Sequence, residues 1–157
     1  IAAAVSVLKE SGKILDFGVS NFSPSQLSLL DNKTAVSVNQ IEFSLTQHSA
    51  MHNGVLDQLL QKKILPMSWS PLGSLFKEVT KTNTRIKKVL DTFTNKYNAT
   101  EDQILLAWIL KHPSGVIPVV GTTSKVRLQN AVKALDIELD LEDWFTLLVE
   151  CQGHKVP

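Results

Sequence analysis

Gly18-Val19-Ser20-Asn21-Phe22 is the stretch on which the fold turns. Residues 14–19 read as a short buried strand, and Ser23-Pro24 opens a helix, proline being well placed in a first helical turn. A hydroxyl and a carboxamide, Ser20 and Asn21, therefore stand where the strand ends. Three later segments repeat the arrangement. Residues 35–38 read as a strand leading to Asn39-Gln40, residues 64–69 lead to Ser70-Pro71-Leu72-Gly73, and residues 116–120 lead to Gly121-Thr122-Thr123-Ser124. Together the four tips read as one ligand site built across several strands.

The segments between the strands carry helical spacing. The first helix runs to about Glu10, with Gly12 as its stop signal. Leu27 and Leu30 fall on one helical face, as do Val55, Leu56, Leu59 and Leu60 in the next crossover. Ile86, Val89, Leu90, Phe93 and Tyr97 mark one amphipathic helix. Thr100-Glu101-Asp102-Gln103 has capping-box form and starts another, which Pro113 stops. Two more helices close the chain, the last capped by Asp140 ahead of Trp144, Leu147 and Leu148. Helical crossovers between successive strands mean parallel pairing and an α/β fold. Four βα units are half of a (β/α)8 barrel, or a small doubly wound sheet with helices on both faces. Either architecture binds ligands at the strand tips. Pro66 and Pro118 each remove a ladder donor, which suits strand starts or bulges more than strand centres.

Composition narrows the function. The 157 residues fit a single domain, 43% of them apolar and 20% charged. Sixteen basic against fifteen acidic residues give a net charge of +1, which offers no electrostatic case for nucleic acid. No run approaches the roughly 18 apolar residues of a membrane helix. Cys151 is the lone cysteine, so no internal disulfide forms and a reducing, cytoplasmic setting is expected. The opening Ile1-Ala2-Ala3-Ala4 lacks the pattern of a signal peptide and reads as a helix entering from something upstream, hence a fragment.

Four motifs in register, Gly12 through Phe22, Asn39-Gln40-Ile41-Glu42-Phe43, Trp69-Ser70-Pro71-Leu72-Gly73 and Ile117-Pro118-Val119-Val120-Gly121-Thr122-Thr123, strongly resemble the aldo-keto reductases. The resemblance covers essentially the whole chain and implies the C-terminal half of that family's barrel, from its fifth strand onward. It implies that Ser20, Asn21 and Gln40 hydrogen-bond a nicotinamide carboxamide, which offers both a donor and an acceptor. Taken by themselves, Ser20 and Asn21 also suit a helix cap with an Asx turn. Trp69 matches a position where many relatives carry a tyrosine that stacks on the nicotinamide; strand alternation alone leaves a core role open. Ser70, Leu72 and Gly73 would wrap the pyrophosphate, an ordinary turn being the alternative. Gly121, Thr122 and Thr123 precede a helix and would receive the 2′-phosphate of NADP with Arg127. Many relatives carry a lysine near the position of Gly121 and an asparagine four residues after the arginine, where this chain has Gly121 and Ala131; Lys125 or Asn130 are the substitutes on offer.

The family's chemistry uses an aspartate, a tyrosine, a lysine and a histidine from the other half of the barrel, so no catalytic residue is expected in this chain. Tyr97 reads as core. His48, His52, His112 and His154 read as incidental, with no metal site. The reading is therefore the cofactor-binding half of an NADP-dependent reductase of carbonyls, inactive as an isolated chain. A cofactor-sensing or protein-interaction subunit of the same fold is the alternative. An open half barrel has unpaired edges, so pairing of two chains or association with the missing half is expected.

Overall fold

The computed structural model describes residues 1–155. Helix α1 (Ala2–Glu10) leads through Gly12, at φ +67, towards strand β1 (Gly18–Ser20). Helix α2 (Pro24–Asp31) starts where Pro24 was expected to start it. Ser23 Oγ accepts from the Gln26 N–H at 3.3 Å and Gln26 Oε1 accepts from the Ser23 N–H at 3.0 Å, so two orphan donors are satisfied reciprocally. Strand β2 (Val38–Glu42), helix α3 (Val55–Lys62) and strand β3 (Leu65–Trp69) follow. Then come α4 (Lys81–Tyr97), α5 (Glu101–Leu110), β4 (Ile117–Pro118), α6 (Lys125–Val132) and α7 (Leu141–Gln152). The four strands form one parallel sheet in the order β1-β2-β3-β4.

Burial decides between the two architectures. Register places Val19, Asn39, Ile41, Pro66 and Ser68 on one face, and the last four of these are buried. The opposite face carries Ser20, Gln40, Met67 and Trp69 with the exposed Leu65 and Ile117. Helices therefore cover one face only, as in half of a (β/α)8 barrel, and not both faces as in a doubly wound sheet. The core lies between sheet and helices, around Phe43, Leu59, Ile86, Leu90, Ile104 and Trp108. At its centre Trp108 of α5 and Trp144 of α7 lie parallel within 3°, ring centroids 4.8 Å apart. Each indole N–H donates to the other residue's carbonyl, at 3.1 and 2.8 Å. That pair joins two helices by stacking and two hydrogen bonds.

Several expected boundaries move. β1 occupies 18–20 and not 14–19, and Leu15 is 91% exposed. As an edge strand it has a partner on one side only, and among the described residues nothing covers its inner face. β2 runs Val38–Glu42, later than expected, and so takes in Asn39 and Gln40. β4 keeps only two residues, Ile117 and Pro118, although the Val119 N–H still donates to the Ser68 carbonyl of β3 at 2.8 Å. Leu60 is exposed, outside the apolar face of α3. Asp140 occupies the N-cap position of α7 without making a side-chain cap bond. Its carboxylate instead pairs with Lys96 at 2.7 Å, and Asp143 does the same. Tyr97 is half-buried against Phe93; its hydroxyl donates to Asp143 and accepts from the Asp140 N–H. The two carboxylates hold the Lys96 ammonium well above the usual lysine range.

Candidate functional site

Parallel strands end on the same side, so the four polar tips gather at one end of the sheet. Ser20 is the last residue of β1. Its Oγ donates to the Gln40 carbonyl at 3.1 Å, and the Asn21 N–H donates to the same oxygen at 2.8 Å. The proton of Ser20 is thereby committed, and its lone pairs remain free to accept. Asn21 sits at φ 56, in the left-handed region that asparagine tolerates. Its Oδ1 accepts from the Trp69 indole N–H at 3.0 Å, tying β1 to β3 across β2. Gln40 is half-buried in β2, on the same face as Ser20, Met67 and Trp69. Ser20, Asn21, Gln40 and Trp69 are therefore brought together by direct contacts and shared register.

One residue at this site was missed in the sequence. Asn39 looked like part of a polar tip, but it is fully buried on the helix side of β2. Its Nδ2 donates to the Phe22 carbonyl at 3.0 Å, and its Oδ1 accepts from the Phe22 N–H at 3.3 Å. A buried amide satisfied at both ends clamps the turn that carries Ser20 and Asn21. A strand-internal asparagine flanked by Val38 and Ile41 was the available signal.

The loop after β3 is tightly built. Ser70 sits at φ 50, and its carbonyl accepts from the Gly73 N–H at 2.8 Å. Gly73, at φ +57, packs so closely on the β2–α3 loop that a Cβ there would meet Thr46 Oγ1 at 2.0 Å. Only glycine fits that approach. Leu72 is half-buried against the core. At the fourth tip, Gly121 is open to solvent and Thr122 Oγ1 accepts from the Ser124 N–H at 3.2 Å. Ser124 caps α6 by accepting from the Arg127 N–H at 3.4 Å, and the Thr123 and Arg127 side chains are exposed. Asn130 is spoken for: its oxygen accepts from Gln103 Nε2 at 2.9 Å and its NH2 donates to Thr100 Oγ1 at 3.2 Å. Of the two proposed substitutes near α6, only Lys125 remains.

The histidines are less scattered than the sequence implies. His48, His52, His112 and His154 all line a concavity of about 820 Å³ floored by Trp144 and Leu148, which is lined by none of the strand-tip residues. Burial holds the His48 and His112 imidazoles below their usual range, so both are neutral near pH 7. His112 Nδ1 accepts from the Ser114 N–H at 3.3 Å, whereas His48 Nδ1 lies 2.9 Å from the Leu45 carbonyl, which it reaches as a donor. Among the described residues, no three His, Cys, Asp or Glu side chains gather as a metal-ligand set.

Comparison with known proteins agrees with the fold. The family profile "Aldo/keto reductase family" matches residues 1–148. The uncharacterized oxidoreductase YcsN of Bacillus subtilis is 36% identical over 100% of this chain and 54% of its own length. A 6-dehydroglucose reductase of Agrobacterium fabrum is 35% identical over 98% of this chain and 52% of its own length. Among solved structures, the thermostable aldo-keto reductase Tm1743 superposes with a TM-score of 0.84 at 22% identity, covering 95% of this chain and 53% of that one. An aldo-keto reductase from Klebsiella pneumoniae in complex with NADPH gives 0.78 at 25% identity, covering 92% of this chain and 51% of that one. The chain spans about half the length of the curated relatives it matches. Over that half, in sequence as in fold, the chain belongs to the aldo/keto reductase family.

Proposed function

We propose that this chain is the cofactor-binding half of an NADP-dependent oxidoreductase that reduces carbonyls to alcohols. The observation that carries the reading is the matched chemistry at the first two strand tips. Ser20 Oγ is left as an acceptor and Asn21 Nδ2 as a donor, the complement of a primary carboxamide. Gln40 adds one more donor and one acceptor beside them. Trp69 offers an aromatic face for the nicotinamide ring. Ser70, Leu72 and the close-packed Gly73 line the approach of the pyrophosphate, and Gly121, Thr122, Thr123 and Arg127 receive the 2′-phosphate at the start of α6.

Bound there, the dinucleotide supplies hydride to a carbonyl carbon. The residues of this chain bind and orient it, which fixes the face that reacts. The group that protonates the carbonyl oxygen lies in polypeptide beyond these residues, consistent with relatives about twice as long. The NADPH complex of the Klebsiella pneumoniae protein supports the choice of dinucleotide. Fluorescence titration of the polypeptide carrying this chain tests the proposal. NADPH should bind saturably and about tenfold or more tighter than NADH, the value of one charge-assisted contact. Absence of binding by both overturns it.

A further inference from the structure

We propose that Trp69 is a positioning residue: its indole N–H holds the Asn21 carboxamide in one of its two orientations, so that the nicotinamide end of the cofactor meets a preset donor. The inference rests on the cofactor reading above and adds to it a device for amide recognition.

Three observations carry it. Asn21 is anchored through its backbone, at φ 56, by the 2.8 Å bond from its N–H to the Gln40 carbonyl. A second anchor comes from β3, where Trp69 Nε1 lies 3.0 Å from Asn21 Oδ1. An indole nitrogen is a donor only, so the amide atom facing it has to be the oxygen. The flipped amide would set two donors against each other. With Oδ1 held, Nδ2 points elsewhere, and among the described residues it donates to no protein group. The NH2 is left with both protons for a ligand.

The neighbouring hydroxyl is fixed in the opposite sense. Ser20 spends its proton on the Gln40 carbonyl at 3.1 Å and keeps its lone pairs. The two side chains thus present an ordered acceptor and donor side by side, before any ligand arrives. A primary amide fits that order in one orientation, with its NH2 towards Ser20 and its carbonyl towards Asn21. Phenylalanine at position 69 would keep an aromatic face and lose the N–H. The Asn21 amide would then be free to flip, and half of its states would aim an oxygen at the ligand carbonyl.

The test is a double-mutant cycle read with two ligands. Trp69→Phe removes the donor, and Asn21→Gly removes the amide while tolerating the left-handed backbone. NADPH contains the nicotinamide; adenosine 2′,5′-bisphosphate lacks it, with its ribose and one bridging phosphate, and keeps the adenosine and 2′-phosphate contacts. Trp69→Phe should weaken NADPH about five- to tenfold, the value of one hydrogen bond, and leave the bisphosphate within about twofold. In the Asn21→Gly background the same change should alter NADPH affinity less than about twofold, because loss of ring area is common to both backgrounds and small. Equal weakening of both ligands, or full multiplication of the two single effects, overturns the proposal. A wild-type protein that binds no NADPH refutes the cofactor reading instead. A ligand-free arm then still decides the hydrogen bond: the Trp69 indole N–H signal in nuclear magnetic resonance should shift and exchange faster in Asn21→Gly, and an unmoved signal overturns the lock.

Discussion

Replacing Gly73 with alanine tests how tightly the loop after β3 is seated. At φ +57 the residue lies in the region where a Cβ costs about 1 kcal/mol relative to glycine. The added methyl would stand 2.0 Å from Thr46 Oγ1 and 2.6 Å from Ser44 Oγ. Thr46 is not free to swing away, because its Oγ1 accepts from the Ser74 N–H at 3.0 Å. Breaking that bond costs about 1 kcal/mol, and displacing the buried Ser44 about 1 kcal/mol more. The expected loss is about 3 kcal/mol. With a urea slope of about 2 kcal/mol/M, the unfolding midpoint should fall by about 1.5 M. Tryptophan fluorescence in urea, on the polypeptide that carries this chain, reads the change. Gly121→Ala is the internal control, since no atom lies within 4 Å of its Cβ position, and it should cost less than about 0.5 kcal/mol. Removing the obstructing hydroxyl with Thr46→Ala should make the second substitution at Gly73 cheaper by about 1 kcal/mol. A Gly73→Ala protein within about 0.5 kcal/mol of wild type would refute the reasoning.

Arg127→Ala should weaken NADPH about ten- to hundredfold and leave NADH unchanged, measured by the same titrations, since only the 2′-phosphate loses a charged partner. Tyr97→Phe should lower stability by about 1–2 kcal/mol in thermal unfolding, because Asp143 loses a donor and the Asp140 N–H loses its acceptor. The same substitution should leave NADPH affinity unchanged. Acid should destabilise the fold through His48 and His112, whose folded pKa values lie below the ordinary 6.5. The unfolded chain then takes up protons first, so stability is complete above about pH 6.5 and falls as pH drops towards the folded values. Urea midpoints between pH 8 and 5 should show that slope, and His48→Gln with His112→Gln should flatten it.

Element type was legible wherever local chemistry fixes it. Ser23-Pro24 and Thr100 through Gln103 spell helix starts by side-chain capping, and both helices begin there. Residue patterning alone left the single-faced sheet open, because alternation in two- to five-residue strands is the same whether helices cover one side or two, and only the resemblance to a barrel half implied it. Strand ends failed where tertiary contacts override residue type. Asn39 looks like a loop residue until Phe22 supplies both of its hydrogen-bond partners inside the core. Residues 14–17 look like buried strand because apolar composition says nothing about whether a neighbour exists to pair with. At the site, Ser20, Asn21, Gln40 and Trp69 could be named from the motifs, whereas the bond between Asn21 and Trp69 joins residues 48 positions apart and leaves no local trace.

The tryptophans also divide the molecule optically. Trp108 and Trp144, parallel at 4.8 Å, place two indole transition dipoles close enough to couple, and the coupled band in near-ultraviolet circular dichroism should vanish when α5 and α7 part. Trp69 stands apart from that pair at the strand tips, its indole N–H on Asn21. Its emission should answer to what sits beside it and ignore the state of the helical layer. One chain without any attached dye thus carries a gauge of its fold and a separate gauge of its site, read at different wavelengths of the same sample.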